Sequence, residues 1–583
     1  MEHRYLLLLD NDPGAPSRAN PTLEAALRTA GMTCRLRTAS ARLFVSAGTP
    51  TLRVPGRGLV VGRLFSKAGE PIAGQLDVGG TADQLVQYLL QDMWGQYVAI
   101  YVNEDGGLVL LRDPSGAVPC VYSLGDRGGF ITSDISFAVE LGLYRREVDW
   151  QAVAHGLAFP YLRTKRTALK HVCELLPGST LTCQGRNAMT RSAWSPWRFV
   201  APGVRHADPY AAASDVRAAV SGVVATLSNL DDRFMVELSG GLDSSIVAAC
   251  LSAHASRATF CTLVMPVAGT DERPYAKLVT DSLGRELLPV EVGFDHVRFA
   301  FPSPPSSVAP AMGILQYAVN EAWEAAGSQH HVDGFFSGGG GDTVFCYLKT
   351  AVPAADAFME RGMIAGLSAV RDLSALHHCT VWKAGKLALR KLRMPRTTWK
   401  IDGSFLDPAF VPAAPDYHPW LDAPPDALPG DREKIQDLIG TQLFRDTALR
   451  GQGRSMHFPL LTQPVLEACL KVPTWMWIAG GRNRAVARDA FADRLPRGIL
   501  ERRSKGSYTG YMAAVYARNK PGMRRFLEEG ELCAHGLLDR SALEDFFARE
   551  LAARDLSFLR IFDLCAAENW VRHQVQSPIV APV

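Results

Sequence analysis

The chain reads as an α/β protein of two unlike parts: a sandwich of antiparallel sheets, then a doubly wound parallel sheet. Three observations predict this. Between Tyr5 and Asp134, short apolar runs follow one another at short spacing with few helical stretches, as stacked antiparallel strands do. From Phe234 to Val292, strand, helix, strand, helix and strand alternate, as in a parallel sheet covered by helices. At 583 residues the chain is also too long for one domain. Proline and glycine punctuate Pro202 to Pro209, which sets the domains at 1–205 and 206–583.

In the first part, strands are expected at residues 5–10, 59–62, 96–102, 108–112, 121–122 and 130–134. The spacing of Leu85, Tyr88 and Leu89 predicts a helix over 81–93. Residues 148–198 read as a connecting region, with a helix near 150–159, a turn near 174–179 and a strand at 180–183. In the second part a helix over 210–227 leads into a strand from Phe234. Further strands follow at 259–265 and 287–292, with a helix from Asp271-Glu272 to Gly284 between them. Residues 412–429 are proline-rich and read as a surface loop, and 435–450 as a helix. The region through Trp570 reads as helical and supportive.

Composition narrows the function. A hydrophobic share of 47% and a charged share of 21% describe an ordinary globular protein with large cores. A net charge of +3 argues against general affinity for nucleic acid. The run from Leu6 to Leu9 is too short for a signal peptide, and no apolar run approaches a membrane span. The 11 cysteines are odd in number and contain no C-x-x-C pair, which points to reduced thiols in the cytoplasm, not to disulfides or structural zinc.

The most informative stretch is Leu238-Ser239-Gly240-Gly241-Leu242-Asp243-Ser244-Ser245, set between a strand and a helix. A glycine turn there lets backbone N–H groups converge on an anion, and the helix start adds positive potential. The three serine hydroxyls can donate to phosphate oxygens. A carboxylate among phosphates is repulsive unless a cation lies between, so Asp243 implies Mg²⁺. The lysine of a Walker loop and the spacing of a dinucleotide fingerprint are both absent. A second stretch, Ser337-Gly338-Gly339-Gly340-Gly341-Asp342, ends another strand-like run. Its glycines allow close backbone approach to a ligand, and Asp342 could share Mg²⁺ with Asp243.

The first string resembles the pyrophosphate-binding S-G-G-x-D-S loop of N-type ATP pyrophosphatases, which adenylate their substrates. The second resembles the S-G-x-G-[SG]-D segment of asparagine synthetases and β-lactam synthetases. Residues Gly95 to Ile100, Arg112-Asp113-Pro-Ser-Gly116 and Thr132-Ser-Asp134 resemble the glutamine amidotransferase (Ntn-type) domain of asparagine synthetases, a sandwich of two sheets between helices. A working glutaminase of that kind needs a cysteine directly after the initiator methionine. Here Met1-Glu2-His3 stands, and the first cysteine, Cys34, reads as a small core residue. The resemblance therefore implies a degenerate domain that frees no ammonia.

Gly339 stands where asparagine synthetases typically carry glutamate and β-lactam synthetases tyrosine. The four-glycine form followed by Asp-Thr-Val-Phe-Cys looks like the lasso-peptide macrolactam synthetases. By resemblance, Ser239 to Ser245, Ser337, Gly338, Gly339 and Leu238 would bind ATP, with Asp243 and Asp342 on the metal. Met265 would lie near adenine, though as a residue type it is equally an ordinary core methionine. Arg503-Ser-Lys505-Gly506 resembles a segment whose lysine reaches the α-phosphate, where an ammonium would stabilise developing charge; a surface lysine is the plain alternative. Residues 506–511 would belong to a lid. Arg454 to Leu461 resembles the R-x-P-F-L-D region of the cleft, with Thr462 in place of the acid, and His457 there faces the cleft or packs internally.

The implied reaction is adenylation of an Asp or Glu side chain of a precursor peptide, then attack by the peptide's N-terminal amine to close an isopeptide ring. Partners by family analogy are a leader-binding protein and a leader peptidase. Alternatives are an ammonia-dependent asparagine synthetase or small-molecule lactam synthetase, a tRNA-modifying enzyme, and an inactive scaffold. Between 383 and 400, Lys383, Lys386, Arg390, Lys391, Arg393, Arg396 and Lys400 occur without an acid, beside Trp382 and Trp399. That stretch can bind nucleic acid, guide an acidic peptide, dock a partner or simply be a solvated helix face.

Overall fold

A computed structural model describes residues 3–576 except 11–20, 57, 77, 79, 126–127, 185–186, 394–398, 442, 449, 451–452, 504–505, 507 and 553. In the first part the strands are β1 (Tyr5–Asp10), β2 (Met32–Arg37), β3 (Ala41–Ser46), β4 (Thr51–Val54), β5 (Gly58–Ser66) and β6 (Met93–Val102). They continue as β7 (Leu108–Arg112), β8 (Val121–Gly125), β9 (Gly128–Thr132), β10 (Cys173–Glu174), β11 (Ser179–Gln184) and β12 (Asn187–Ser192). Two six-stranded antiparallel sheets result, in the orders β10-β8-β9-β1-β3-β2 and β12-β11-β7-β6-β5-β4.

Strand periodicity explains the layers. Tyr5, Leu7 and Leu9 share one buried cluster with Val61, Val98, Ile100 and Leu110 of the second sheet. Leu6 and Leu8 point the other way and join Leu23 and Leu27 of the helix Pro21–Thr29. The run of leucines in β1 is continuous because both of its faces are covered. On the second sheet, Val60, Leu64 and Tyr97 join Leu85 and Leu89 of the helix Ala82–Gln91, which Thr81 and Gln84 cap reciprocally.

One expectation needs correction here. Residues 148–198 are not a connector: β10 pairs with β8, and β11 pairs with β7 with Leu181 opposite Leu110, so the segment completes both sheets. The helix expected over 435–450 is found as Pro429–Thr441 and Leu443–Thr447, on either side of residue 442, which lies outside the described residues.

The second part holds a five-stranded parallel sheet of β13 (Phe234–Glu237), β14 (Ala258–Val264), β15 (Leu287–Glu291), β16 (Gly334–Ser337) and β17 (Ser455–His457). Its order is β15-β14-β13-β16-β17, so the chain leaves β13 in one direction and later returns on its other side. Such a reversal opens a crevice at the carboxyl ends of the strands. Phe234, Met235 and Val236 are fully buried between covering helices, as a central parallel strand requires. A small ribbon, β18 (Ile478–Ala479) with β19 (Arg482–Asn483), turns through Gly480 and Gly481, both at positive φ.

The two parts are fastened by polar seams as well as by apolar packing. Trp194 Nε1 donates to Glu467 Oε1 at 2.9 Å, and its ring meets Trp420 edge-on at 5.4 Å. Arg163 pairs with Glu174 of its own part at 2.5 Å and with Asp446 of the other at 3.0 Å. Among the described residues no helix is long and apolar enough to cross a membrane.

Candidate active site

β13 and β16 hydrogen-bond in register, with Glu237 opposite Ser337, so the turns that follow them emerge side by side. Leu238 N donates to Cys261 O at 2.8 Å. The Leu238 and Leu242 side chains are buried, so these residues seat the turn and can offer a ligand only backbone. Gly240 takes φ +65°, and a side chain there would meet Ala276 N and Tyr275 Cβ at 2.6 Å. Ser239 Oγ and Ser244 Oγ lie 3.0 Å apart, closing the turn on itself. Among the described residues Ser245 Oγ is buried without a hydrogen-bond partner. The helix Leu242–Cys250 starts with no side-chain cap, which leaves its first N–H groups open to an anion.

The four glycines after Ser337 have separate reasons. A side chain at Gly338 would strike Ser244 N at 2.6 Å, and one at Gly341 would strike Asp243 Cβ and Cγ at 2.5 Å. Those two positions let the loops touch. Gly340 is left-handed at φ +84°. At Gly339 a Cβ would press on the Phe458 ring at 3.0 Å, so that ring borders the space a larger residue would need.

Asp243 and Asp342 consequently open onto one point. Arg484 Nη1 lies 3.0 and 3.1 Å from the two Asp243 oxygens and 2.6 Å from Asp342 Oδ1. The Asp342 side chain is half exposed while that of Asp243 is 10% exposed, so the pair faces outward on one side. Arg484 reaches them from the end of the β18–β19 ribbon, held at φ +51°, and among the described residues its buried Nε has no hydrogen-bond partner. Two hard oxygen donors already gathered around one cationic group fit Mg²⁺, which proteins hold through one or two carboxylates plus phosphate oxygens. No group of three or more His, Cys, Asp or Glu suited to a metal occurs among the described residues; water and phosphate oxygens would fill the rest of such an ion's shell.

A family model for asparagine synthase matches residues 215–572, a span that holds both acids, the glycine wall and Arg484. The chain belongs to the asparagine synthase family. A Mycobacterium tuberculosis relative described as a "putative asparagine synthetase (glutamine-hydrolyzing)" is 24% identical over 267 residues, covering 44% of this chain and 40% of the relative. A Mycobacterium bovis protein of the same description matches to the same extent. The match thus spans less than half the length of these curated relatives. Among solved structures, the "allosteric regulatory enzyme of purine biosynthesis" is 11% identical, covers 52% of this chain and 78% of its own, and gives a TM-score of 0.20. A glutamine phosphoribosylpyrophosphate amidotransferase from B. subtilis, complexed with ADP and GMP, is 10% identical, covers 52% and 77%, and gives 0.19. At such TM-scores neither carries an argument.

Within this asparagine synthase domain the other anticipated residues fall as follows. Met265 follows β14 directly, and its side chain is buried in the main core. Lys505 lies outside the described residues, as do Ser504 and Ser507, but Arg502 and Gly506 lie within them. Arg502 Nη2 donates to Glu272 Oε1 at 2.7 Å, and Gly506 N donates to the same oxygen at 2.5 Å. Arg502 Nη1 also donates to Gly240 O at 2.9 Å, and its guanidinium stacks 3.6 Å from the Tyr275 ring. One buried carboxylate therefore grips both ends of the lysine-bearing segment and ties it to the first glycine turn. His457 packs internally: its Nε2 lies 2.6 Å from Asp231 Oδ2, and Ser455 Oγ donates to Asp231 Oδ1 at 2.9 Å. Burial alone would raise the Asp231 carboxyl, but these hydrogen bonds outweigh it and hold it below the usual carboxylate range.

Arg484, Glu272 and Arg502 went unrecognised as site residues in the sequence. For Arg484 the signal was Gly480-Gly481, a two-residue hairpin turn that aims the following residues. A further pair, Glu237 and Arg450, forms an ion pair at the end of β13, with the guanidinium 5.6 Å from the Trp323 ring centre.

Proposed function

We propose that the chain is an ATP-dependent amide-forming ligase that activates a carboxyl group as its adenylate and transfers it to an amine. The convergence of Asp243 and Asp342 on one cationic centre, between two glycine turns, carries this reading. Ser239, Ser244, Ser245 and the uncapped helix start would bind the phosphates. Asp243 and Asp342 would hold Mg²⁺, which when bound neutralises phosphate charge. The substrate carboxylate attacks the α-phosphorus and pyrophosphate leaves; the amine then attacks the acyl carbon and AMP leaves. Glu272 and Arg502 hold the segment bearing Lys505, whose ammonium would meet the charge that develops in both steps.

The finer reading is a lasso-type macrolactam synthetase, with an Asp or Glu side chain of a precursor peptide as acid and that peptide's α-amine as nucleophile. Gly339 beside Phe458 supports it, because neither the glutamate of asparagine synthetases nor the tyrosine of β-lactam synthetases is present to act on a small substrate. A leader-binding protein and a leader peptidase would be its partners. The first part is then a structural wall: its Arg112 spends its donors on Val118 O, Gly116 O, Leu175 O and Glu174. Asparagine formation is the second reading, favoured by the description of the relatives.

ATP–pyrophosphate exchange tests these readings, using free aspartate, tRNA and acidic precursor peptides as separate triggers. Peptide-dependent exchange with a product lighter by one water supports the cyclase. Exchange with free aspartate alone overturns it in favour of asparagine formation, and exchange with none of them overturns both.

A further inference from the structure

The helical stretch Val352–Leu376, broken at Gly362 (φ +80°), and the helix Val381–Arg393 form a hairpin that leaves more large hydrophobic residues exposed than any comparable length of the described chain. Of the 19 large hydrophobic residues exposed among the described residues, eight fall between 359 and 389: Met359, Met363, Ile364, Leu367, Val381, Trp382, Leu387 and Leu389. Trp382 is 89% and Ile364 88% exposed. Isolated exposed leucines are ordinary, but a cluster of this density marks an interaction surface.

The second helix shows what covers it. Ala384 and Ala388 are buried against the first helix, in a cluster with Ala369, Val370 and Leu373. On the free side Trp382, Lys386, Leu389 and Arg393 follow at helical spacing as one stripe, with Lys383 and Arg390 beside it. Among the described residues Lys391 pairs with Glu433, and no ion pair involves Lys383, Lys386, Arg390 or Arg393. The hairpin's own acids are engaged inward: Glu360 accepts from Trp475 Nε1 at 2.7 Å, and Asp372 accepts from Gly481 N at 3.0 Å. A helix lying in a bilayer needs its apolar residues segregated on one face, and here the segregated face is already packed while the free one mixes cations with apolar groups.

We propose that this free face docks an acidic polypeptide segment in which carboxylates alternate with large apolar side chains. Val370 lies 3.8 Å from where a Gly385 side chain would start, so the two helices approach closely at that point. Carboxylates and apolar groups of the partner meet their complements along the stripe from Trp382 to Arg393. Asp372 also fastens the hairpin to the ribbon that carries Arg484, so the docked segment lies in one packed unit with the two acids.

The test is fluorescence anisotropy on the full chain with a labelled 20-residue peptide of alternating Glu and Leu or Phe. Its Lys-for-Glu counterpart, a tRNA and phosphatidylserine vesicles serve as competing probes. The acidic peptide should bind, the lysine peptide should not, and W382S/K386E/R390E should weaken binding at least tenfold with an unchanged melting temperature. Salt should weaken the wild-type complex. Preferential binding of tRNA or vesicles, or equal affinity in the triple variant, overturns the proposal. Because no turnover is needed, its failure is separate from failure of the adenylation reading.

Discussion

Arg112 and Arg484 each sit among carboxylates and differ in what they leave unspent. Arg112 is 1% exposed and bonds through Nε and both Nη atoms to three carbonyls and Glu174. Arg484 places one nitrogen on two acids, leaves Nε without a partner among the described residues, and faces a half-exposed Asp342. A saturated cluster resists change and holds architecture. An unsaturated one at a crevice is ready to exchange partners with an incoming ligand.

The contrast can be broken experimentally. Replacing Arg112 by Met should cost about 3–5 kcal/mol, since Glu174 would be left buried with one cation fewer; urea unfolding reads this directly. Asp243→Asn should leave urea stability within about 1 kcal/mol yet reduce pyrophosphate exchange by about 10²–10³-fold, through loss of a metal ligand. If that variant unfolds as readily as the Arg112 one, the two clusters are alike and the distinction fails.

A third test uses pH at the seam between the parts. Burial, with Arg163 nearby, pushes the His418 imidazole down to about 3. The unfolded chain takes up this proton as pH falls through its ordinary value near 6.5, and the folded chain does not until near 3. Stability present above pH 6.5 is therefore lost as pH falls, by about 2–3 kcal/mol at pH 4.5. His418→Asn keeps an acceptor for Trp420 N and should flatten this part of the curve in thermal melts across pH 4.5–7. The smallest expected effect is Gly341→Ala, where a methyl would meet Asp243 Cβ at 2.5 Å. It should cost about 1–2 kcal/mol in stability and weaken nucleotide binding measured by titration calorimetry.

Legibility in the sequence followed contiguity. Ser239 to Ser245 and Ser337 to Asp342 each carry their chemistry within a few residues, so both were recognisable before any fold was known. Arg484 stands 241 residues from Asp243, and nothing in its neighbourhood names its partner. Glu272 was read only as a helix start, because its grip on Arg502 and Gly506 exists solely in three dimensions. Strand β2 is obscured by its polar residues, Arg35 and Arg37 being exposed at a sheet edge, while β4 alternates cleanly but is only four residues long. The β1 leucines lost their alternation for the opposite reason, having cover on both faces.

The adjacency of β13 and β16 has a consequence for how such a ligase can diversify. The spacing of its two acids is fixed by a backbone ladder four residues long and by glycines that admit nothing between the turns. Surface segments that touch neither turn can be lengthened, recharged or reshaped without disturbing that ladder, so long as Ser239 to Ser245, Glu272, Arg484 and Arg502 keep their places. New acceptors and donors can be recruited by surface remodelling, while the machinery that activates the acid stays as it was.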